Sequence, residues 1–278
     1  MSENLFADFR DIKICYKLKG EGDPIFLIHG FGAKKEFWNG QIDELVKHFQ
    51  VIWFDLRGAG KSSRPNISYT MKMLVDDLKG FMDFLNIEKA HLIGHSLGSM
   101  IAQNFTISYP KSVIKLVLLA TITGIPDEEG LEMFKNSHIA LYEARLKDPI
   151  ITFYNKMKTR LTREFLKLMK QDPKLKFHNL FSAEDLIKSE GEYPWTPQDI
   201  INHANALGEH QTLNVLNEIK NNTLIIAGEK DRLTPKSSSI QVHEKMPNSK
   251  LEIIPGGHWF PLEKAPEVNQ IIVDFLKS

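Results

Sequence analysis

The stretch "LIGHSLGSM", Leu92–Met100, sets one serine between two glycines: Gly94, Ser96 and Gly98 stand at G-x-S-x-G spacing. The apolar run "AHLIGHS" (90–96) leads into it as a strand, and 97–109 follows with helical spacing, closed by Pro110. A strand that turns directly into a helix drives its junction residue toward strained backbone angles. It also leaves little room two residues to either side, a demand that glycine meets. Such a turn lifts the Ser96 hydroxyl clear of the sheet. It sets the hydroxyl beside a helix N-terminus, where unpaired N–H groups and the dipole favour developing negative charge.

Outward from this junction, short apolar runs alternate with helical patterns. "PIFLIHG" (24–30), "VIWFDLRG" (51–58), "VIKLVLLAT" (113–121), "TLIIAGEKD" (223–231) and "KLEIIPGG" (250–257) read as strands. "FWNGQIDELVKHF" (37–49), 71–86, 236–246 and 267–277 read as helices, by apolar residues three and four apart. The alternation implies an α/β fold, a mainly parallel sheet with helices on both faces. Ligands of such sheets bind beyond the carboxyl ends of the strands.

One segment breaks the rhythm. Residues 125–212 lack strand patterns and read as a helical cap inserted in a core of 1–124 and 213–278. Within it, "ITFYNKMKTRLTREFLKLMKQD" places Phe153, Met157, Leu161, Phe165 and Leu168 on one stripe, with lysines and arginines opposite. That reads as one packed helix with a solvated basic face.

A chain of 278 residues suits one large α/β domain carrying an insertion. Lys and Arg total 35 and so do Asp and Glu, so no net charge points to nucleic acid or a membrane surface. Cys15 is the only cysteine, which excludes an internal disulfide, fits a reducing compartment and reads as a small buried filler. The start "MSENLFADFRDIK" has no basic segment followed by an apolar one, and no apolar run approaches the ~20 residues of a membrane helix. A cytoplasmic protein with no membrane span is expected.

A serine hydroxyl needs a base, and the base an orienting acid. Among ten histidines, His258 follows a strand on a Gly-Gly turn before the last helix, at the sheet's carboxyl edge. Asp231 ends the preceding strand and completes the chain order Ser…Asp…His. His29 reads as an anchor of its loop, and the His95 side chain as pointing away from Ser96. Asp55 reads as part of a structural turn with an ion pair to Arg57. Glu229 and Asp127 are rival acids. For the oxyanion, the Leu97 N–H and the Phe31 N–H are the candidate donors, with Gly30 and Gly32 letting the "HGFG" backbone approach a ligand. Phe31 and Trp259, with Gly30, are the candidate substrate contacts. Trp195, Tyr142, Tyr154, Tyr193 and Met133 of the cap are further candidates for an apolar pocket. No metal-ligand spacing or phosphate loop is seen, so no metal or other cofactor is expected.

Together "HGFG", "DLRGAGKS", "GHSLGS", "AGEKDRLTP" and "GGHWFPLEKAPEVNQIIVDFL" resemble, in order, the motifs of α/β-hydrolase serine hydrolases with a helical cap. The resemblance spans nearly the whole chain outside the cap. It implies an eight-stranded sheet with the second strand antiparallel to the rest, and a triad of Ser96, Asp231 and His258. Serine at 96 argues against the haloalkane dehalogenases and epoxide hydrolases of this fold, which carry aspartate there. "GHSLG" departs from the G-G-S-W-G of many proline iminopeptidases. The sequence is most similar to the group of carboxylesterases, enol-lactonases and carbon–carbon bond hydrolases. Hydrolysis of carboxylic esters of small, largely apolar substrates through an acyl-enzyme is expected, by a monomer or homodimer. The rivals are a lactone or carbon–carbon bond hydrolase, an acyltransferase or perhydrolase, and a receptor that retains the triad.

Overall fold

A computed structural model describes residues 3–125 and 127–278. The eight strands are β1 (Leu5–Phe9), β2 (Ile12–Lys19), β3 (Pro24–Ile28), β4 (Gln50–Phe54), β5 (Ala90–His95), β6 (Val113–Leu119), β7 (Thr223–Gly228) and β8 (Ser249–Ile254). They form one sheet in the order β1-β2-β4-β3-β5-β6-β7-β8. β2 runs antiparallel to both neighbours, and every other pair is parallel.

The central strands are apolar throughout because both their faces are covered. Along β3, Phe26 and Ile28 join the core on one side of the sheet, while Ile25 and Leu27 join the other. β1 escapes detection in the sequence for the opposite reason: it is an edge strand whose only buried residue is Ala7.

Helices α1 (Ile42–Leu45), α2 (Met71–Phe84), α3 (Leu97–Ser108), α9 (Lys236–Lys245), α10 (Phe260–Glu263) and α11 (Ala265–Lys277) accompany the sheet. Between β6 and β7 lie α4 (Glu128–Lys147), α5 (Pro149–Arg160), α6 (Arg163–Gln171), α7 (Ala183–Gly191) and α8 (Pro197–Gly208). All five of the latter open on a side-chain cap. Asp127, Asp148, Thr162, Ser182 and Thr196 each accept a backbone N–H three residues on. Among the described residues, no helix is long and apolar enough to cross a membrane.

Two expected helices are broken. Residues 37–49 form a 3₁₀ turn, Lys35–Gly40, and the short α1 rather than one helix. Tertiary contacts hold the break: Asn269 Nδ2 donates to Gly40 O at 2.9 Å, and Gln41 Nε2 donates to Pro261 O. The basic stripe of 151–172 is two helices, α5 and α6, parted at Leu161 and Thr162. Phe153, Met157 and Leu161 are buried, but Leu168 is 47% exposed because the break rotates it off the stripe.

Candidate active site

At the carboxyl end of β5 the chain turns sharply into α3. Ser96 takes φ 53° and ψ −120°, a region an L-residue enters only when its surroundings dictate it. Those surroundings are backbone. A Cβ on Gly94 would lie 2.2 Å from Gly98 O, and one on Gly98 would lie 2.0 Å from Ile28 O. Any side chain at either place would drive α3 off the sheet. The turn is further held by Ser96 N–H donating to Leu119 O at 2.9 Å.

Asp231 follows β7, and its carboxylate is saturated. Oδ1 accepts the Leu233 and Thr234 N–H groups at 2.8 and 2.9 Å. Oδ2 accepts Thr234 Oγ1–H at 2.7 Å and His258 Nδ1–H at 2.8 Å. Burial works to raise this carboxyl. The charge of His258 and the hydrogen bonds from His258 and Thr234 outweigh it and hold Asp231 below its ordinary value. With Nδ1 donating to Asp231, the His258 ring keeps Nε2 as a proton acceptor.

Ser96 and His258 line one cavity of ≈ 220 Å³, together with Gly30, Phe31, Leu97 and Trp259. No hydrogen bond joins Ser96 Oγ to His258 here, and contacts of this kind tighten when a substrate is seated. Leu97 opens α3, so its N–H has no partner within the helix. A second chamber of ≈ 130 Å³ shares Phe31, His138, Arg160 and Trp259 with the first. The Phe31 ring stands between Phe134 and Trp195, with centroids at 4.7 and 5.0 Å.

The remaining candidates sort themselves by geometry. His29 Nδ1–H donates to Gly30 O, and its Nε2 accepts the Leu56 N–H at 3.1 Å, so it anchors its loop. Asp127 is spent on capping α4, and Glu229 is exposed beside Lys236. Asp55 does lie in a turn with a buried ion pair, but its partner is Lys35 at 2.8 Å, not Arg57. Arg57 reaches Asp77 instead, through Nε at 2.5 Å and Nη2 at 2.7 Å. Trp195, Tyr142 and Tyr193 line the second chamber. Met133 is 67% exposed, and Tyr154 Oη–H donates to Met169 O, so neither faces a chamber.

Four further residues frame the site, and three of them, Thr234, Glu263 and Arg160, are not singled out from the sequence. His95 does point away from the Ser96 hydroxyl, and it spends Nε2–H on His258 O at 2.9 Å, fixing the loop that carries His258. Burial and the neighbouring His258 push its pKa down to about 3, so it stays neutral. Thr234 braces Asp231, as above. Buried Glu263 accepts Gly257 N–H at 2.9 Å, Thr162 N–H at 3.1 Å and Thr162 Oγ1–H at 2.6 Å. Burial raises its carboxyl above the ordinary value. Arg160 O accepts the Trp259 N–H at 2.8 Å. Gly257 admits that approach, since a Cβ there would lie 2.6 Å from Arg160 O. The end of α5 is thus sewn to the His258 loop on both sides.

A serine strained at a strand-to-helix turn, on this sheet order, defines the α/β hydrolases. The family model described as alpha/beta hydrolase fold matches residues 23–265; the chain belongs to that family and is a hydrolase. It is similar to a 2-hydroxy-6-oxononadienedioate/2-hydroxy-6-oxononatrienedioate hydrolase of Paraburkholderia phymatum, at 27% identity over 98% of this chain and 94% of that one. A 2-hydroxy-6-oxo-6-phenylhexa-2,4-dienoate hydrolase of Comamonas testosteroni is also 27% identical, over 98% and 93%. Among solved structures, the enol-lactonase from Burkholderia xenovorans superposes with a TM-score of 0.84 at 20% identity, covering 99% of this chain and 100% of that one.

Proposed function

We propose that the chain hydrolyses carboxylic esters of small substrates by two-step acyl transfer, with Ser96 as nucleophile, His258 as base and Asp231 as its orienting acid. The observation that carries this reading is Ser96 at φ 53° in the same cavity as a His258 ring that Asp231 holds at 2.8 Å. His258 Nε2 takes the Ser96 proton as Oγ attacks the ester carbonyl. The Phe31 and Leu97 N–H groups receive the oxyanion, and losing one such donor typically costs about 2.7–4 kcal/mol of barrier. His258 then gives the proton to the departing alcohol. A water, deprotonated by His258, attacks the acyl-enzyme and releases the acid, returning the proton to Ser96. Asp231 remains ionised throughout and stabilises the imidazolium. Helices α4–α8, which run from Glu128 to Gly208 within the segment read from the sequence as 125–212, act as the cap that shapes the two chambers, with Phe31 and Trp259 as walls and Gly30 allowing close approach.

A second reading is favoured by the names of the relatives: attack by the same serine or an activated water on a ketone, breaking a carbon–carbon bond. Turnover of p-nitrophenyl esters of increasing acyl length is the test. Ser96→Ala and Asp231→Asn are expected to lower kcat by about 10⁴-fold or more, the first by removing the nucleophile, the second by releasing the wrong histidine tautomer. Wild-type rates in Ser96→Ala would remove the serine from the mechanism. Cleavage of oxo-dienoates with ester rates at background would replace the ester by the carbon–carbon reading.

A further inference from the structure

Among the described residues, the fold neutralises its buried cationic side chains with carboxylates, with one exception. Arg57 is clasped by Asp77, and the half-buried Arg64 by Asp199. The buried Lys35 has Asp55, and Lys156 has Glu190 at 2.6 Å. Arg160 is only 6% exposed, yet among the described residues no carboxylate lies within salt-bridge distance of it. Taking a charge out of water costs several kcal/mol, and Glu190, the carboxylate whose charge reaches Arg160, is already engaged by Lys156, which leaves Arg160 open to a partner that arrives.

Its hydrogen bonds leave capacity for that partner. Nη1 donates to Lys156 O at 3.1 Å and to Thr159 Oγ1 at 3.3 Å, and Nη2 meets His138 Nε2 at 3.4 Å. His138 donates through Nδ1 to Phe134 O, which leaves Nε2 with the lone pair that faces the guanidinium. A guanidinium has five donors, and these contacts engage three. Burial lowers Arg160 to about 10, partly opposed by Glu190, so it is cationic at neutral pH. Neighbouring Arg160 holds His138 down to about 4 after burial has done most of the work, so His138 adds no charge there.

Position gives the cation a purpose. Arg160 is the only Lys, Arg, Asp or Glu among the described residues lining the chamber of Ser96, and it also lines the second chamber. Its own backbone carbonyl is fixed to Trp259, next to His258. We propose that Arg160 anchors a carboxylate carried by the substrate, at the junction of the two chambers, so that the hydrolase acts on an anionic carbonyl compound with apolar flanks. This sharpens the expectation of a largely apolar substrate. It rests on the proposed acyl transfer only in calling the bound anion a substrate.

Two arms keep the two readings apart. Titration calorimetry of hexanoate and hexanamide reads the anion site without chemistry; the acid is expected to bind about tenfold tighter or more, and Arg160→Met to erase the difference. Arg160→Lys, which keeps the charge but loses the fork, is expected to fall between them and serves should the methionine variant fail to fold. Kinetically, p-nitrophenyl hydrogen glutarate is compared with p-nitrophenyl pentanoate, and p-carboxyphenyl butanoate with phenyl butanoate. At least one charged ester is expected to be favoured in kcat/KM about tenfold, a ratio that collapses in Arg160→Met. Equal binding of acid and amide by the unsubstituted protein, or a preference that survives in Arg160→Met, overturns the proposal. Ser96→Ala silences the ester arm alone, so loss of the triad reading leaves the binding arm standing.

Discussion

Two junctions of this molecule look alike in outline and are built differently. At Ser96 a strand becomes a helix; at Leu161–Thr162 one helix becomes another. The first is marked within ten residues of sequence, by glycines whose replacement would put a Cβ about 2 Å from the backbone oxygen of Gly98 or of Ile28 in β3. The second is dictated from a hundred residues away, by Glu263 and by the Trp259 N–H that takes Arg160 O. Close backbone packing leaves a mark in the sequence as glycine, whereas side-chain-to-backbone stitching between distant segments leaves almost none.

The Gly98→Ala variant tests the first junction most severely. The added methyl meets Ile28 O at 2.0 Å, so strand and helix must part, at a cost of about 3 kcal/mol or more. A urea midpoint close to that of the wild type would show that the turn is not held by close packing.

For the second junction, Glu263→Ala removes the acceptor of three donors in a buried place and should cost about 2–3 kcal/mol. Glu263→Gln should cost less, about 1 kcal/mol, because an uncharged group escapes the burial that raises this carboxyl. Hydrogen exchange should rise in α5 and α6 while β5 and α3 stay protected. Uniform loosening of both would erase the contrast between the junctions.

A third test, by pH rather than by substitution, spans both regions. His95 and His203 are held down to about 3, and His91, His138 and His210 to about 4, in each case by burial first. The folded protein keeps these rings neutral, while the unfolded chain takes up protons near the ordinary value. Their stabilising effect is therefore complete above about pH 6.5 and is lost progressively as pH falls toward 4. Even one such group gives about 1.4 kcal/mol per pH unit below 6. Denaturant midpoints that stay level between pH 7 and 5 would mean that the rings are solvated.

The same contrast explains what was legible. The parallel sheet, the strand ends carrying Ser96, Asp231 and His258, and the helical nature of 128–208 all follow from short-range pattern. The Asp, Ser and Thr caps, with proline at the first turn of α5 and α8, would have divided the helices too. Thr162, between Leu161 and Arg163, is the cap that marks the break in the basic stripe. What pattern does not carry is pairing. Asp55 sits two residues from Arg57 and yet bonds Lys35, because the strand end turns its carboxylate toward the 3₁₀ turn. His95 was legible as facing away from Ser96, but the carbonyl it would meet belongs to a residue 163 positions further on. The solitary Arg160 is recognisable only once every neighbouring carboxylate has been placed.

The Trp259 N–H to Arg160 O bond makes the proposed pocket and the proposed base mechanically one piece. A foreign set of helices grafted between β6 and β7 would need to end α5 at the same height, with a free carbonyl and a Thr162-like hydroxyl for Glu263. Without these the graft would bring a new pocket and a wandering histidine together. Exchange of substrate range by recombination is thus restricted to donors that share this seam. Variation inside α4, α7 and α8 that spares His138 and the seam is where new specificities can be sought without disturbing the proposed base.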